Sequence, residues 1–405
     1  MIPLRSTQFR WLLSSTLASG GAQGMERTAT AWLALESGGG AFAIGLAFAA
    51  RMVPSLVLGL AAGTIADRSD RTRQLLVVSL AAIPLMVIVS WLAGTGAIQV
   101  WQVVAISFAI GCIQVFDTPA RQTLILDTVP RVVAPNAVAF NAFGARLFTG
   151  IGALGAGLLI PIGGVASCYL AVAAISGISA VLISMMRLQK VEHSATTRPS
   201  FARAMGDAAR LIVDVPALRI LTISGIVCEV FAFSHSTALP IVARDMLSSG
   251  PEGLGTLNAA AAIGGTVAVV MLSILPGRVR REPIMAATFA IYGVAILVLA
   301  SVGDLVTAVI AMIVIGACAA AFDVLQQTLI QLTVPEDQRG RAMGIWVLGL
   351  GSAPFGHLEM GMLVATMGAP SALAVNGALV VAGAAVLVAQ SPVYRWRYRG
   401  SSRPT

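Results

Sequence analysis

The sequence predicts an all-α integral membrane protein that crosses the bilayer twelve times, as two six-helix bundles of the same internal order. Three observations predict it: the composition, the spacing of the apolar segments and an internal repeat. Hydrophobic residues make up 57% of the 405 positions and charged residues only 11%, whereas soluble domains carry roughly 25% charged residues. Because so few charges cannot cover a water-facing surface of ordinary area, we predict that lipid covers much of this chain.

Apolar segments recur along the chain at lengths that suit membrane crossing. A helix needs about 20 apolar residues to span the hydrocarbon core of a bilayer. We number twelve predicted spans in chain order: 11–35, 42–64, 75–94, 101–125, 137–160, 166–186, 218–241, 254–275, 284–302, 305–329, 342–364 and 370–390. The polar stretch after the sixth span predicts a cytoplasmic linker at 188–217, between an N-terminal bundle at 1–187 and a C-terminal bundle with a basic tail at 218–405.

The second half of the chain repeats motifs of the first. The tetrapeptide at 122–125 returns unchanged at 327–330, 205 residues later, and the tripeptide at 128–130 returns at 333–335. Six spans in each half is an even number, so both copies enter the membrane in the same orientation. We therefore predict a parallel repeat, with a pseudo-two-fold axis along the membrane normal.

Basic residues favour one side of the membrane. The net charge is +8, and the basic residues concentrate in the N-terminus, the even-numbered loops, the linker and the tail, whereas the odd-numbered loops hold only Arg244. This alternation is the positive-inside pattern, which predicts that both termini are cytoplasmic. It also argues against a nucleic-acid partner, because such proteins gather their basic residues on one binding face.

No catalytic or metal-binding constellation stands out. The four cysteines fall within or beside apolar spans and are interpreted as small hydrophobic residues: Cys112, Cys168, Cys228 and Cys318. The pair His357 and Glu359 has no third metal ligand nearby, and no glycine-rich phosphate loop is present. We therefore predict a protein that is not an enzyme and has no cofactor, so that any transport draws on an ion gradient.

The loop between the second and third spans carries a specific motif. It reads Gly63-Thr64-Ile65-Ala66-Asp67-Arg68-Ser69-Asp70-Arg71-Thr72-Arg73. This loop resembles the signature of the major facilitator superfamily, Gly-x-x-x-Asp-Arg-x-Gly-Arg-Arg, with Asp70 at the second glycine and Thr72 at an arginine position. Further segments resemble the branch that contains enterobactin exporters and related efflux proteins: 116–122, 129–130, 136–141, 334–344 and 354–356. The resemblance implies the major facilitator fold.

Two departures from the family pattern bear on mechanism. Many exporters of this type have a Gly-Pro kink in the fifth span, whereas here Gly152 is followed by Ala153. The second-half counterpart of the signature loop reads Gly277-Arg278-Val279-Arg280-Arg281, and it lacks the aspartate. Both leave open the direction of transport and the movement of the fifth span.

Two groups of charges predict a cytoplasmic gate. Asp67 closes the second span, where its carboxylate can meet a helix N-terminus, and Arg68, Arg71 and Arg73 can hold it in place. The alternative is that these arginines only anchor the loop on the cytoplasmic side. Near the same side, Asp117 and Arg121 lie one helical turn apart in the fourth span and can pair with each other, which we interpret as gate structure.

A charged pair is predicted inside the first bundle. Ser15, Ser19, Gln23, Glu26 and Thr30 recur at helical spacing and form a polar stripe on the first span. The resemblance implies that spans one, four, seven and ten line a central cavity. Glu26 and Arg51 lie at similar depths in two antiparallel spans, so we predict that they pair. The alternative is that Arg51 faces another helix and that Glu26 is protonated and packed.

Other ionisable residues within spans are candidate proton sites, because a buried charge is costly and marks function by default. Glu229 lies near the middle of the seventh span, and we predict a proton carrier there; the alternative is a single polar contact between helices. His357 and Glu359 follow Pro354 in the eleventh span, where a proline loosens the helix, and they are candidates for a second protonation site.

These observations together predict a secondary transporter in a bacterial inner membrane. Buried carboxylates favour protons as the driving ion, and the resemblance implies efflux by antiport of a small amphipathic compound such as a drug or siderophore. The alternatives are uptake by proton symport, and a sensor or scaffold that transports nothing. The expected partners are the lipid bilayer and a small-molecule substrate, and we expect a monomer.

Overall fold

A computed structural model describes residues 3–68, 70–130, 132–186, 206, 210–276, 279–335 and 338–390. Helical residues 59–68, 340–341 and 348 are described by their backbone alone. All regular secondary structure in this part of the chain is helical, as the apolar composition predicted.

The helices follow one another with short connections. The first half contains α1 (Thr7–Ala34), α2 (Gly40–Arg68), α3 (Arg71–Gly94), α4 (Val100–Thr128) and α5 (Ala134–Ser184). The second half contains α6 (Pro216–Val227), α7 (His235–Ile241), α8 (Gly250–Ser273), α9 (Arg281–Ala300), α10 (Leu305–Thr333), α11 (Arg339–Leu350) and α12 (Ala353–Ala389). Three π-helical turns join some of these helices: Leu35–Gly39, Cys228–Ala232 and Val242–Met246.

Several helices begin where the sequence provides a capping side chain. The Ser6 hydroxyl accepts a hydrogen bond from the Phe9 amide, and the Asp70 carboxylate accepts from the amides of Thr72 and Arg73. Such caps satisfy amide groups that have no partner within the first turn of a helix. The sequence therefore fixes the start of α1 and α3 locally.

Nine helical stretches of the described chain are long and apolar enough to cross a membrane. Two of them, Ala134–Ser184 and Ala353–Ala389, are interrupted by glycines with positive φ, Gly164 at 68° and Gly368 at 81°. Glycine adopts this backbone conformation without the steric penalty of a Cβ. Both breaks fall where the sequence predicted a boundary between spans.

The predicted seventh span is not one continuous helix. Instead α6 ends in the π-helical turn Cys228–Ala232, where the Phe233 amide donates to the Cys228 carbonyl at 2.9 Å, and α7 starts at His235. Pro240 lies inside α7 and cannot donate a backbone hydrogen bond. Hydropathy does not report such a break, because an 18-residue window within Pro216–Met246 still has a mean hydropathy of 1.7.

The predicted eleventh span is also divided. α11 ends at Leu350, and α12 begins with Pro354 in its first turn. A proline fits the first turn of a helix because no hydrogen bond from its nitrogen is needed there. The structure thus places Pro354 at the start of a helix inside the predicted span, and its effect on the span stays a prediction.

The described residues form two compact units. The first contains α1 to α5 together with Leu239–Ile263, and the second contains α6, the residues up to Ala238 and the chain from Gly264 onward. Within the first unit, a Cβ at Gly255 of α8 would lie 2.9 Å from the Gly157 Cα, and the Asn258 amide donates to the Thr28 hydroxyl at 3.3 Å. These contacts explain why Leu239–Ile263 groups with α1 and α5, while the predicted boundaries at 187 and 218 stay predictions.

The core of the first unit contains an apolar cluster and a glycine seam. The cluster joins α1, α3, α4 and α5 through buried side chains that include Phe9, Leu75 and Leu124. Along the seam, Gly20 and Gly24 of α1 approach the α5 backbone, and a Cβ at Gly20 would lie 2.7 Å from the Ala145 carbonyl oxygen. Small residues allow membrane helices to pack backbone against backbone in this way.

Candidate functional site

Glu26 of α1 and Arg51 of α2 form a buried ion pair. The Arg51 Nη1 donates to both carboxylate oxygens of Glu26, at 2.8 Å to Oε1 and 2.6 Å to Oε2. The two side chains are only 7% and 4% exposed. The contact that equal depth in neighbouring spans predicted is therefore confirmed, while its role in coupling stays a prediction.

Two further helices hold this pair in place. The Thr30 hydroxyl contacts Glu26 Oε1 and the Tyr169 hydroxyl of α5, each at 2.8 Å. The Arg51 Nε donates to the Gln114 side-chain oxygen of α4 at 3.3 Å. Both carboxylate oxygens of Glu26 thus accept hydrogen bonds from neighbouring side chains. Sequence reasoning missed Gln114 and Tyr169, because single polar residues in apolar helices give no spacing signal.

Asp117 and Arg121 form a second buried pair within α4. The guanidinium donates to both Asp117 oxygens, at 2.9 and 3.1 Å, and its Nη1 also donates to the hydroxyls of Ser15 and Thr16 on α1. The fork geometry of arginine favours such two-point contact with a carboxylate. The contact predicted from their spacing of one helical turn is confirmed, and the pair also joins α4 to α1.

A small chamber inside the first unit is lined by the acids of both ion pairs. It has a volume of about 80 Å³, and its walls include Glu26, Asp117, Gln23, Gln114 and Ser176. That volume is large enough to hold water. The polar stripe predicted on the first span thus lines this chamber or bonds to its walls.

The signature loop, which we predicted to be cytoplasmic, is described only in part. The side chains of Asp67 and Arg68, both predicted gate residues, lie outside the described residues. Arg71 donates to the Asp127 carboxylate at the end of α4, with 2.6 Å between Nη1 and Oδ2. Arg73 is exposed. Asp127 is a partner that sequence reasoning missed, because it lies 56 residues away in the chain.

Loss of the Arg71–Asp127 contact should destabilise the first unit measurably. Both side chains are mostly buried, at 11% and 19% exposed, so Asp127→Asn should lower the free energy of unfolding by about 1–3 kcal/mol. Denaturant titration in detergent measures this change. Asp245→Asn is a matched control, because Asp245 binds Arg244 while both are about half exposed, and its effect should stay below about 1 kcal/mol. Equal effects of the two substitutions would contradict a structural role for Asp127.

Glu229 lies in the π-helical turn Cys228–Ala232 of the second unit. Its side chain is half-buried, and no hydrogen bond or ion pair reaches its carboxylate within the described part of the chain. Gly356 of α12 packs on this turn, and a Cβ there would lie 2.8 Å from the Glu229 carbonyl oxygen. The structure thus places Glu229 at a backbone break inside a predicted span.

His357 and Glu359 contact different partners in the second unit. His357 Nδ1 lies 2.9 Å from the Thr237 hydroxyl of α7, and the Glu359 carboxylate accepts from the Asn376 amide at 3.0 Å. The same amide donates to the Ser234 hydroxyl, beside the break between α6 and α7. Asn376 and Ser234 were not predicted as site residues, since a single amide or hydroxyl gives no pattern in sequence.

Phe116-Asp117 returns as Phe322-Asp323, 206 residues later, so Asp323 of α10 is the repeat counterpart of Asp117, but its partners differ. Its Oδ1 accepts from the Gln327 amide at 3.1 Å and from the Trp346 indole of α11 at 3.0 Å. Gln327 follows Asp323 by four residues, as Arg121 follows Asp117. The second-half carboxylate therefore lacks the arginine that neutralises the first.

Membrane-length helices with charged pairs inside them are typical of membrane transporters. The chain belongs to the transmembrane secretion effector family, whose model matches residues 1–399. It is thus a major facilitator transporter and a multi-pass protein of the bacterial inner membrane. The resemblance noted in the signature loop is confirmed.

Relatives and solved structures agree with this assignment. The chain is 23% identical over 354 residues to the staphyloferrin A transporter of Staphylococcus aureus, covering 85% of this chain and 87% of that protein. It is 24% identical over 371 residues to the multidrug efflux pump Tap of Mycolicibacterium fortuitum, covering 87% of each. The nucleoside transporter NupG has the same fold, with a TM-score of 0.74 at 13% identity over 95% of this chain and 98% of that chain.

Proposed function

We propose that the protein is a proton-coupled exporter of small amphipathic molecules. The observation that carries this proposal is the half-buried carboxyl group of Glu229, which lies inside a spanning stretch. Among the described residues, this carboxyl group has no cationic partner. An isolated charge is expensive in a membrane interior, so this group is neutral for part of the transport cycle. A group that is neutral in one state and ionised in another carries a proton between them.

Glu26 has a different part in this proposal. Arg51 and Thr30 hold its carboxylate with three hydrogen bonds, so we assign it a fixed charge that organises the first bundle and its chamber. Glu229 then exchanges the proton in the second bundle. Glu359 and His357 are secondary candidates, since each already contacts a polar neighbour.

The architecture that we propose has twelve crossings with both termini cytoplasmic. The 52-residue stretch Thr7–Leu58 would be about 78 Å long at 1.5 Å per residue, far beyond a hydrocarbon core of about 30 Å. Splitting it at Gly38, and the two other long stretches at Gly164 and Gly368, adds three crossings to the nine stretches. Two such bundles suit alternating access, in which one bundle moves against the other around a central site.

The relatives support export and suggest the class of substrate. One is a staphyloferrin A transporter and the other a multidrug efflux pump, so siderophores and amphipathic drugs are the two substrate classes to examine. No protein partner or cofactor is needed in this proposal. The proton gradient supplies the driving force, and the monomer is the working unit.

Glu229→Gln tests the proposed coupling. Purified protein reconstituted in vesicles should move ethidium against its gradient when a pH difference is imposed. The increase in transport rate that the pH difference causes should be lost in the variant. The loss should be about 5–150-fold, the usual range of coupling between two ligands. Ethidium exchange without a pH difference should persist, because glutamine keeps the size and polarity of the neutral acid.

A matched variant and a second substrate sharpen the test. Glu252→Gln changes an exposed acid at the start of α8 and should keep the pH response. Staphyloferrin A examines the siderophore class in the same vesicles. An unchanged pH response in Glu229→Gln would refute the proton role, and inward movement of the dye with protons would replace export by symport.

A further inference from the structure

A cavity opens beside the start of α9 in the second unit. Its volume is about 290 Å³, and its apolar wall is formed by α9, α10 and α12 through Met285, Ala286, Ala290, Leu329 and Leu387. Arg280 and Glu282 also line it. Arg280 directly precedes α9, in a loop that the positive-inside pattern places on the cytoplasmic side. The cavity therefore combines an apolar interior with a charged mouth at a membrane surface.

Two adjacent arginines lie at the start of α9, and of these Arg280 lines the cavity together with Glu282. Arg280 is exposed and Arg281 is half-buried, and neither forms an ion pair within the described residues. The carboxylate of Glu282 offsets only one of these two positive charges. In addition, no side chain caps the N-terminus of α9, where the helix dipole favours an anion.

The start of α3 in the first unit is in contact with two acidic residues that the start of α9 in the second unit lacks. There, Asp70 caps the start of α3, and Arg71 binds Asp127 at the end of α4. In the second half Arg280 takes the capping position before α9. The residue 205 positions after Asp127 is Leu332. Both acids of the first half are thus replaced, one by a cation and one by an apolar residue.

We propose that this cavity binds one anionic phospholipid of the cytoplasmic leaflet. The phosphate group would take the place of the missing acids beside Arg280 and Arg281, and an acyl chain would occupy the apolar wall between α9, α10 and α12. Arginine binds phosphate through two parallel hydrogen bonds. Basic pockets between membrane helices on the cytoplasmic side recognise anionic headgroups in the same way.

Native mass spectrometry of the full-length protein in detergent tests this site. Titration with phosphatidylglycerol should leave one lipid bound per chain, and phosphatidylcholine should bind about tenfold more weakly, because its headgroup carries no net charge. Arg280→Gln should remove this preference. Arg5→Gln is the matched control, since Arg5 is exposed in a turn of the first unit, and it should keep the preference.

Two further variants separate the headgroup from the acyl chain. Ala290→Leu fills the apolar wall without altering charge, so it should weaken both lipids. Leu332→Asp supplies the acid that the first half has, and it should lower the affinity for phosphatidylglycerol alone. Inorganic phosphate should not compete, because it lacks the chain.

The outcomes decide the proposal without a transport assay. Equal binding of the two lipids, or an unchanged preference in Arg280→Gln, would overturn it. Displacement of the lipid by inorganic phosphate would assign the site to a free anion and would also overturn it. Since each measurement concerns binding alone, its result is independent of whether Glu229 carries protons.

Discussion

Replacing Arg51 with methionine should lower the free energy of unfolding by about 3–5 kcal/mol, the usual effect of removing one partner of a buried ion pair. The Glu26 carboxylate would lose both hydrogen bonds from Arg51 Nη1 while it stays almost fully buried. Thr30 would be its one remaining donor in the described structure. The large effect follows from the burial of the charge that is left behind.

The double variant Glu26→Gln with Arg51→Met should recover most of that stability. It removes both charges together, so no uncompensated carboxylate remains in the interior, and apolar replacement of buried pairs is often neutral. Denaturant titration in detergent gives the free energies, and the four proteins form a double-mutant cycle. Arg10→Met, an exposed arginine of α1, is the control and should change stability by less than about 0.5 kcal/mol. Additive single and double effects would show that the pair does not form in the folded protein.

Gly24→Leu should prevent the first bundle from folding. The α1 backbone at Gly24 packs directly on the Thr149 carbonyl of α5, and Gly152 of α5 packs in the same way on Gly21. A side chain at Gly24 would meet main-chain atoms, which cannot rotate away as a side chain can. The two helices would have to separate, at more than about 3 kcal/mol.

The glycine effect can be measured as the yield of monodisperse protein and its thermal midpoint. Gly24→Ala should show a smaller loss than Gly24→Leu, because its side chain is one methyl group. Gly349→Ala provides a helical control, since a Cβ there would meet no atom within 4 Å, and it should fold normally. Normal folding of Gly24→Leu would mean that α1 and α5 are farther apart than the structure places them.

Part of the buried site could be predicted because it depends only on the positions of residues along the helix axes. Glu26 and Arg51 lie at equal depth in neighbouring antiparallel spans, and Asp117 and Arg121 lie one helical turn apart. Both relations can be counted along the chain from the helical rise. Other contacts depend on how one helix is rotated about its axis relative to another, as between Arg51 and Gln114.

The backbone break inside the seventh span could not be predicted by the same reasoning. The π-helical turn at Glu229 adds one residue to a helical turn without changing the apolar composition. Gly164 and Gly368, in contrast, fall at boundaries that the lengths of the apolar segments had already indicated. Hydropathy therefore locates the ends of spans but does not report an interruption inside one.

The sequence by itself determined that this chain is a membrane transporter of the major facilitator type. The evidence was the low number of charges, the apolar segments of bilayer length, the alternating arginines and the signature loop. Each of these depends only on the order of residues along the chain, so it can be read from the sequence. Only the tertiary structure decided that Arg71 binds Asp127, that one chamber is lined by the acids of two ion pairs, and that Arg280 lines a cavity beside α9. Those features arise where side chains from separate helices meet, and that meeting depends on helix rotation and packing distance.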